Sequence, residues 1–340
     1  MKAAKEAVKA FNIKGAVDEI ALFGSGHIND TYRIRVGGDE YLLQRLNENV
    51  FTNAHYIEHN LDHLLRQKSS LFVDHFKTDG GAYHYRNESG LWRLTLFLAD
   101  AYSPQTADSL AEVAAAAEGF GSFTAFTDTC QVDQFHEVIP RFHDLEWRLT
   151  QLDQALKSDL FGRCNEVRDF SSKVINNRAI SNKMKALKAD GLPVRLCHND
   201  TKLNNSLLAK SDASFQKVID LDTVGPGSVL YDFGDLMRTT VSNAAENESD
   251  TSKIQFRPEF FETLKENFLK TASPVLKNLE IEHLFFGGQY MTYMMAVRFL
   301  TDYINGDIYF KTTFQKENLV RAQNQMTLLE KMNAYEREIS

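Results

Sequence analysis

Leu196-Cys197-His198-Asn199-Asp200-Thr201-Lys202-Leu203-Asn204-Asn205, followed by Val218-Ile219-Asp220-Leu221-Asp222, is the stretch on which the reading of this chain turns. Residues 194–197 and 217–219 are short apolar runs of strand type, so each polar segment leaves a buried strand. An aspartate and an asparagine five positions later, on one tight loop, offer a proton acceptor and a hard oxygen donor from a single rigid segment. Asp220, at the end of the next strand, adds a second hard oxygen donor. Phosphoryl transfer asks for this set: a carboxylate that orients the attacking hydroxyl and takes its proton, and oxygen ligands that hold magnesium on the phosphates. The bland alternative is a polar loop whose Asp and Asn cap turns. The strand-end Val218-Ile219-Asp220 and a glycine loop far upstream favour the chemical reading, with Asp200 as base and Asn205 and Asp220 as magnesium ligands.

The order Asp–x4–Asn–strand–Asp is that of the catalytic and metal loops of eukaryotic kinases. Asp232-Phe233-Gly234 spells the metal-binding tripeptide of those kinases, yet it lies too far past Asn205 and opens a helix after Tyr231. Asp232 is expected either to brace the catalytic loop by accepting backbone hydrogen bonds or to cap a helix N-terminus.

Working outward, the first hundred residues read as β-rich. Runs at 19–23 and 28–36 flank Gly24-Ser25-Gly26, and Gly37-Gly38-Asp39 turns into a third run at 41–46. Residues 55–68 carry Ile57, Leu61, Leu64 and Leu65 at helical spacing, and 82–86 with 91–98 form a further hairpin. From about residue 107 the pattern turns helical, over 107–126, 144–157, 166–189, 258–272, 281–304 and 316–335. The sum is an α+β, bilobal, protein-kinase-like fold: a small antiparallel-sheet nucleotide-binding lobe over residues 1–98 and a larger, mainly helical catalytic and acceptor-binding lobe over 99–340. At 340 residues, two lobes are the natural expectation.

Gly24, Ser25, Gly26 and His27 fit a phosphate-covering turn, where missing side chains let backbone N–H groups approach an anion. The third run should deliver a cation to the phosphates, but it holds no lysine. Gln44 and Arg45 fall on opposite faces, and which one meets the cleft stays open. Glu58 on the next helix is placed to pair with such a cation. His55, His59 and His63 form a stripe opposite the apolar face, so solvent rather than metal is their expected destination.

Lys and Arg number 38 against 46 Asp and Glu, a net charge of −8, which argues against nucleic acid or an anionic membrane as partner. Cys130, Cys164 and Cys197 are scattered, with no paired spacing for a zinc site or disulfide framework. Residues 1–11 lack the apolar core of a secretory signal, and 284–297 is too short to span a bilayer, so the cytoplasm is the expected compartment.

At these residues the chain resembles the aminoglycoside-phosphotransferase/choline-kinase superfamily, and within it the N-acetylhexosamine 1-kinases. The likeness rests on GSGHINDTY (24–32), YLLQRLNENVF (41–51), CHNDTKLNNSLL (197–208), VIDLDTVGPGSVLYDFGDLMR (218–238) and RFLTDYINGDIYFK (298–311). It implies ATP and magnesium as cofactors, Asp200 as base, Asn205 and Asp220 on the metal, and adenine near residues 95–98, Phe97 among them. It places Arg298 and Tyr309 near a sugar, with Asp302 as a further candidate; otherwise Arg298 satisfies acidic neighbours inside the helical lobe. The expected reaction is phosphorylation of the anomeric hydroxyl of an N-acetylhexosamine. Two alternatives stand beside it. Either the acceptor differs (another sugar, an amino alcohol, or an aminoglycoside held by Glu246, Glu248 and Asp250), or the chain is a nucleotide-binding pseudokinase, which the missing strand lysine would suit.

Overall fold

The computed structural model describes residues 1–24, 29–48 and 50–339. A short helix α1 (Lys2–Val8) precedes the strands β1 (Val17–Leu22), β2 (Asp30–Val36) and β3 (Asp39–Arg45), then helix α2 (Ala54–Leu65). The strands β4 (His75–Phe76), β5 (His84–Asn87) and β6 (Gly90–Leu96) complete a six-stranded antiparallel sheet in the order β1-β2-β3-β6-β4, with β5 also paired to β6. Strand alternation decides what each face does. Ile34, Tyr41, Leu43, Trp92 and Leu94 lie in one buried cluster with Ala4, Ala7 and Val8 of α1. The intervening residues Thr31, Arg33, Leu42, Gln44, Arg93 and Thr95 therefore turn to the opposite face, and all of them line the cleft beneath.

Residues 97–100 leave the sheet for β7 (Ala101–Tyr102), which pairs with a strand of the second half of the chain. That half holds α3 (Leu110–Thr127), α4 (Leu145–Ser158), α5 (Arg168–Ile175) and α6 (Ala179–Ala189). The strands β8 (Arg195–Cys197), β9 (Ser206–Ala209), β10 (Phe215–Val218) and β11 (Gly225–Gly227) carry the loops of interest. The helices α7 (Val229–Thr240), α8 (Pro258–Ala272), α9 (Asn278–Glu282), α10 (Leu284–Ile304) and α11 (Glu317–Ile339) finish the chain. The strands form a sheet β10-β9-β7 and a pair β11-β8. The expected α+β class and antiparallel first sheet are found.

Two expected helices are broken. The span 166–189 divides at Asn176-Asn177-Arg178, whose N–H groups close short turns onto Ser172, Val174 and Ile175 instead of continuing one helix. The span 281–304 divides at His283, which ends α9 and begins α10. The apolar stretch 284–297 lies in α10, with nearly every residue buried. No helix among the described residues is long and apolar enough to cross a membrane.

α7 and α10 cross at glycines. A Cβ on Gly234 would lie 2.2 Å from the carbonyl oxygen of Gly287, and one on Gly288 would lie 2.2 Å from Met237 Sδ. This close approach fixes α7, and α7 carries the residue that holds the loop after β8.

Candidate active site

The loop after β8 is held from three sides. Asp232 on α7 accepts the backbone N–H groups of His198 and Asn199, both at 2.8 Å. Of the two expectations for this residue, the brace is the one found; Ser228 caps the helix instead. Burial pushes Asp232 up to about 6, against the pull of those two N–H donors toward the charged form. His198 accepts from the Asp200 N–H on Nδ1 (3.3 Å), which leaves Nε2–H to donate to the Ile219 carbonyl at 2.9 Å. His143, pushed down to about 3 mainly by burial and so neutral, donates from Nε2 to the Asn199 carbonyl at 2.9 Å. Asn199 sits in the left-handed region (φ 63) and spends its side-chain amide on the carbonyls of Thr223 and Gly225.

This frame sets Asp200 at the cleft. Asn205 Nδ2 donates to its Oδ2 at 2.9 Å and to its carbonyl at 2.7 Å, and Lys202 Nζ stands 3.4 Å from Oδ1. Burial raises the Asp200 carboxyl, but Lys202 and the Asn205 bond outweigh it and hold it below the usual value. Asp200 is thus ionised at neutral pH. The Ile219 N–H donates to the Asn205 carbonyl at 2.9 Å, so Asn205 and Asp220 stand on neighbouring backbones. Asp220 also adopts φ 60, and its half-exposed carboxylate lines the cleft.

The sheet supplies the roof of this cleft, whose volume is about 670 Å³. The buried cation on this face of the sheet is Arg93 of β6, 3 % exposed, and not a residue of β3. Its guanidinium pairs with Asp222, lies 3.2 Å from Asp220, and donates from Nε to Gln44 Oε1 at 2.8 Å. The open choice on β3 resolves to Gln44, which lines the cleft; Arg45 points to the other face and pairs with Asp30 and the Ser89 carbonyl. Glu58 does not meet a strand cation. It accepts from the Tyr83 N–H at 2.8 Å and from His84 Nδ1 at 2.6 Å, so it fastens β5 to α2. Gly24 (φ 74) lines the cleft, while Ser25, Gly26 and His27 lie outside the described residues. Thr95, Leu96, Phe97 and Leu98 form an apolar wall with Leu42, Leu207 and Ile219. Of the histidine stripe, only His55 is exposed; His59 stacks on His63 (4.1 Å between ring centres) and against His136 (4.5 Å).

At the far end of the cleft Arg298 is 9 % exposed and forms no ion pair among the described residues. Its guanidinium lies over the rings of Phe142, Tyr309 and Phe310, at 4.9, 5.4 and 5.3 Å from their centres. The alternative in which it neutralises acidic neighbours is therefore not the one found. Asp302 is not free to meet a ligand: its carboxylate accepts the N–H groups of Ile308, Tyr309 and Phe310 at 2.8–3.0 Å, and Asn318 Nδ2 at 3.0 Å. It sets the loop that presents Tyr309. Asp235 and Glu246 reach the cleft, each bonded to Arg238 at 2.6 Å. Glu248 and Asp250 instead order their own loop, Glu248 accepting from the Asp250 N–H and Asp250 from Ser252.

A family described as "Phosphotransferase enzyme family" matches residues 19–263. This chain belongs to that family. Among solved structures, a microcompartment-associated aminopropanol kinase is similar with a TM-score of 0.60 at 15% identity, over 99% of this chain and 98% of its own. A spectinomycin phosphotransferase in complex with ADP and spectinomycin gives 0.61 at 11%, over 99% and 98%. A choline kinase, LicA from Streptococcus pneumoniae, gives 0.58 at 12%, over 93% and 94%. At such identities the likeness speaks for the fold.

In this phosphotransferase the residues around Asp200 fit a magnesium ion. Asn205 turns its amide nitrogen to Asp200, which leaves Oδ1 as a hard donor, and the Asp220 carboxylate is open to the cleft. Among the described residues no three His, Cys, Asp or Glu groups gather into a protein-only cage. That suits an ion which keeps waters and phosphate oxygens in its shell.

Proposed function

We propose that this phosphotransferase moves the γ-phosphoryl group of ATP to the anomeric hydroxyl of an N-acetylhexosamine, giving the sugar 1-phosphate and ADP. The observation that carries the acceptor reading is Arg298: a cation without a carboxylate partner that occupies three aromatic faces at the acceptor end of the cleft. An ammonium acceptor such as choline, or a polycationic aminoglycoside, would need those faces and a field of carboxylates. Here the rings are already covered by a cation, and Asp235 and Glu246 are both engaged by Arg238 instead of standing free. A neutral, hydroxyl-rich acceptor with an acetamido group meets this end better, with Arg298 donating to its oxygens.

In this reading the Asp200 carboxylate, kept ionised by Lys202 and Asn205, orients the acceptor hydroxyl and takes its proton. The acceptor oxygen bonds to the γ-phosphorus as the bond from that phosphorus to the ADP oxygen breaks. Asn205 and Asp220 would hold magnesium, which supplies charge neutralisation on the phosphates when bound. Arg93 keeps Asp220 and Asp222 oriented from the roof. The apolar wall at residues 95–98 suits adenine. A cytoplasmic setting, where ATP is abundant, fits the three free cysteines.

The test is an ATP-consumption screen over sugars, amino sugars, amino alcohols and aminoglycosides, with phosphorus NMR of any product. N-acetylglucosamine or N-acetylgalactosamine phosphorylated at C1 is the expected result, with the de-acetylated amino sugars poorer in kcat/KM. Arg298→Ala should depress kcat/KM for the sugar and leave ATP affinity almost unchanged. Turnover only with choline or aminoglycosides, or a product phosphorylated at C6, overturns the reading.

A further inference from the structure

Behind the acceptor end of the cleft lies a second chamber, of about 380 Å³, between α4 and α10. One face of α4 contributes Arg148, Gln151, Ala155 and Ser158, spaced by three, four and three residues. The facing side of α10 contributes Arg298, Thr301 and Asn305, and Tyr309 and Phe310 close the end. Arg298, Tyr309 and Phe310 also line the catalytic cleft, so they form a wall common to both spaces.

The charge of this chamber is unusual. Arg148 and Arg298 both line it, and neither forms an ion pair among the described residues. Arg148 is anchored by the Phe142 carbonyl (3.2 and 3.4 Å) and by Gln151 Oε1 (3.0 Å), which leaves two of its five N–H groups without a protein acceptor there. Arg298 has a single hydrogen bond, to Met295 Sδ at 3.5 Å. The carboxylate present, Asp302, is saturated by three backbone N–H groups and Asn318. Burial first, and then the neighbouring Arg298, pushes Arg148 down to about 10, so it stays charged at neutral pH. Two guanidinium groups lining one chamber, neither in an ion pair among the described residues, beside amides and hydroxyls and an Asp302 spent on N–H donors, make a site for an oxyanion, which guanidinium groups grip through paired N–H bonds.

We propose that this chamber binds the phosphate or carboxylate group of a small-molecule effector on Arg148 and Arg298. Because Arg298 is shared, the bound anion draws it from the acceptor side and weakens acceptor binding, leaving the nucleotide end untouched. Binding itself does not depend on which acceptor the enzyme uses.

Calorimetric titration of the whole protein, saturated with Mg·ADP at fixed ionic strength, reads the site directly. Inorganic phosphate and acetate are the two probes, and they separate a phosphate effector from a carboxylate one. Either probe binding to the native protein, with affinity lowered roughly tenfold or more in Arg148→Gln, supports the site. Arg148→Lys, which keeps the charge, should retain a good part of that affinity and guards against a misfolded glutamine variant. On the native enzyme the binding probe should raise the acceptor KM several-fold and leave the KM for ATP in place, and Arg148→Gln should lose that response at unchanged basal turnover. No binding of either probe, or equal binding in Arg148→Gln, overturns the proposal.

Discussion

Arg93 and Asp222 form an ion pair with side chains only 4 % and 2 % exposed, joining the centre of the first sheet to the segment that follows the last strand of the catalytic sheet. Two charges so far from water are tolerable only together, since removing one strands the other. Arg93→Met should therefore destabilise the protein by about 3–5 kcal/mol, read by urea unfolding. The double variant Arg93→Met/Asp222→Leu should recover much of that stability and none of the activity. Additive losses in the double variant would show that the pair is not a unit.

Asp200→Asn keeps the size of the side chain and one oxygen but cannot take a proton from the acceptor. Turnover should fall by about 10² or more, with ATP affinity within a few-fold of native. Activity near the native level would remove Asp200 from the mechanism.

The two aspartates of Asp220 and Asp232 should fail differently. Asp220→Ala removes a hard oxygen from the phosphate end, so Mg·ATP affinity drops while the fold holds. Asp232→Ala leaves the buried N–H groups of His198 and Asn199 unpaired, at about 1–3 kcal/mol each. Melting temperature should therefore fall much further for Asp232→Ala. Metal affinity lost with Asp232 and kept with Asp220 would reverse the assignment.

Lys202 sets the acid side of the pH profile. Its charge is the strongest influence holding the Asp200 carboxyl below its usual value against burial. The native enzyme should thus keep kcat/KM flat down to acidic pH, losing it only as Asp200 protonates. Without the cation the strongest influence opposing burial is gone, Asp200 rises, and the limb moves to higher pH in Lys202→Met. A limb that does not move would show that another group governs it.

The catalytic loop was legible because its residues are nearly contiguous, and contiguity survives without knowledge of tertiary contacts. Asp200, Asn205 and Asp220 come together over one strand pair and its loops. Arg93 was not found, though a signal exists: it is a lone charge inside Leu91-Trp92-Arg93-Leu94, and a charge in a fully buried strand needs a partner. Gln44 and Arg45 could not be told apart since alternation gives two faces without saying which one α1 covers. Glu58 was misassigned because its partners, Tyr83 and His84, arrive through the pairing of β5 with β6, some 25 residues away. Asp302 looked like a sugar ligand, yet the backbone leaving α10 turns back on its own helix end and consumes it. Arg298 does line the cleft, but its freedom from carboxylates is a property of packing that no local pattern records.

Asp220 occupies a left-handed backbone conformation, which glycine adopts freely and other residues at a cost of about 1–2 kcal/mol. With Asp220 on the metal as proposed, the best residue for the fold at this position is not the best residue for the reaction. Glycine would relax the turn and erase the carboxylate, so a copy of this protein released from catalysis could gain stability by the very change that ends its chemistry. Fold and function pull in opposite directions at this one backbone angle, and the aspartate marks which of them has prevailed.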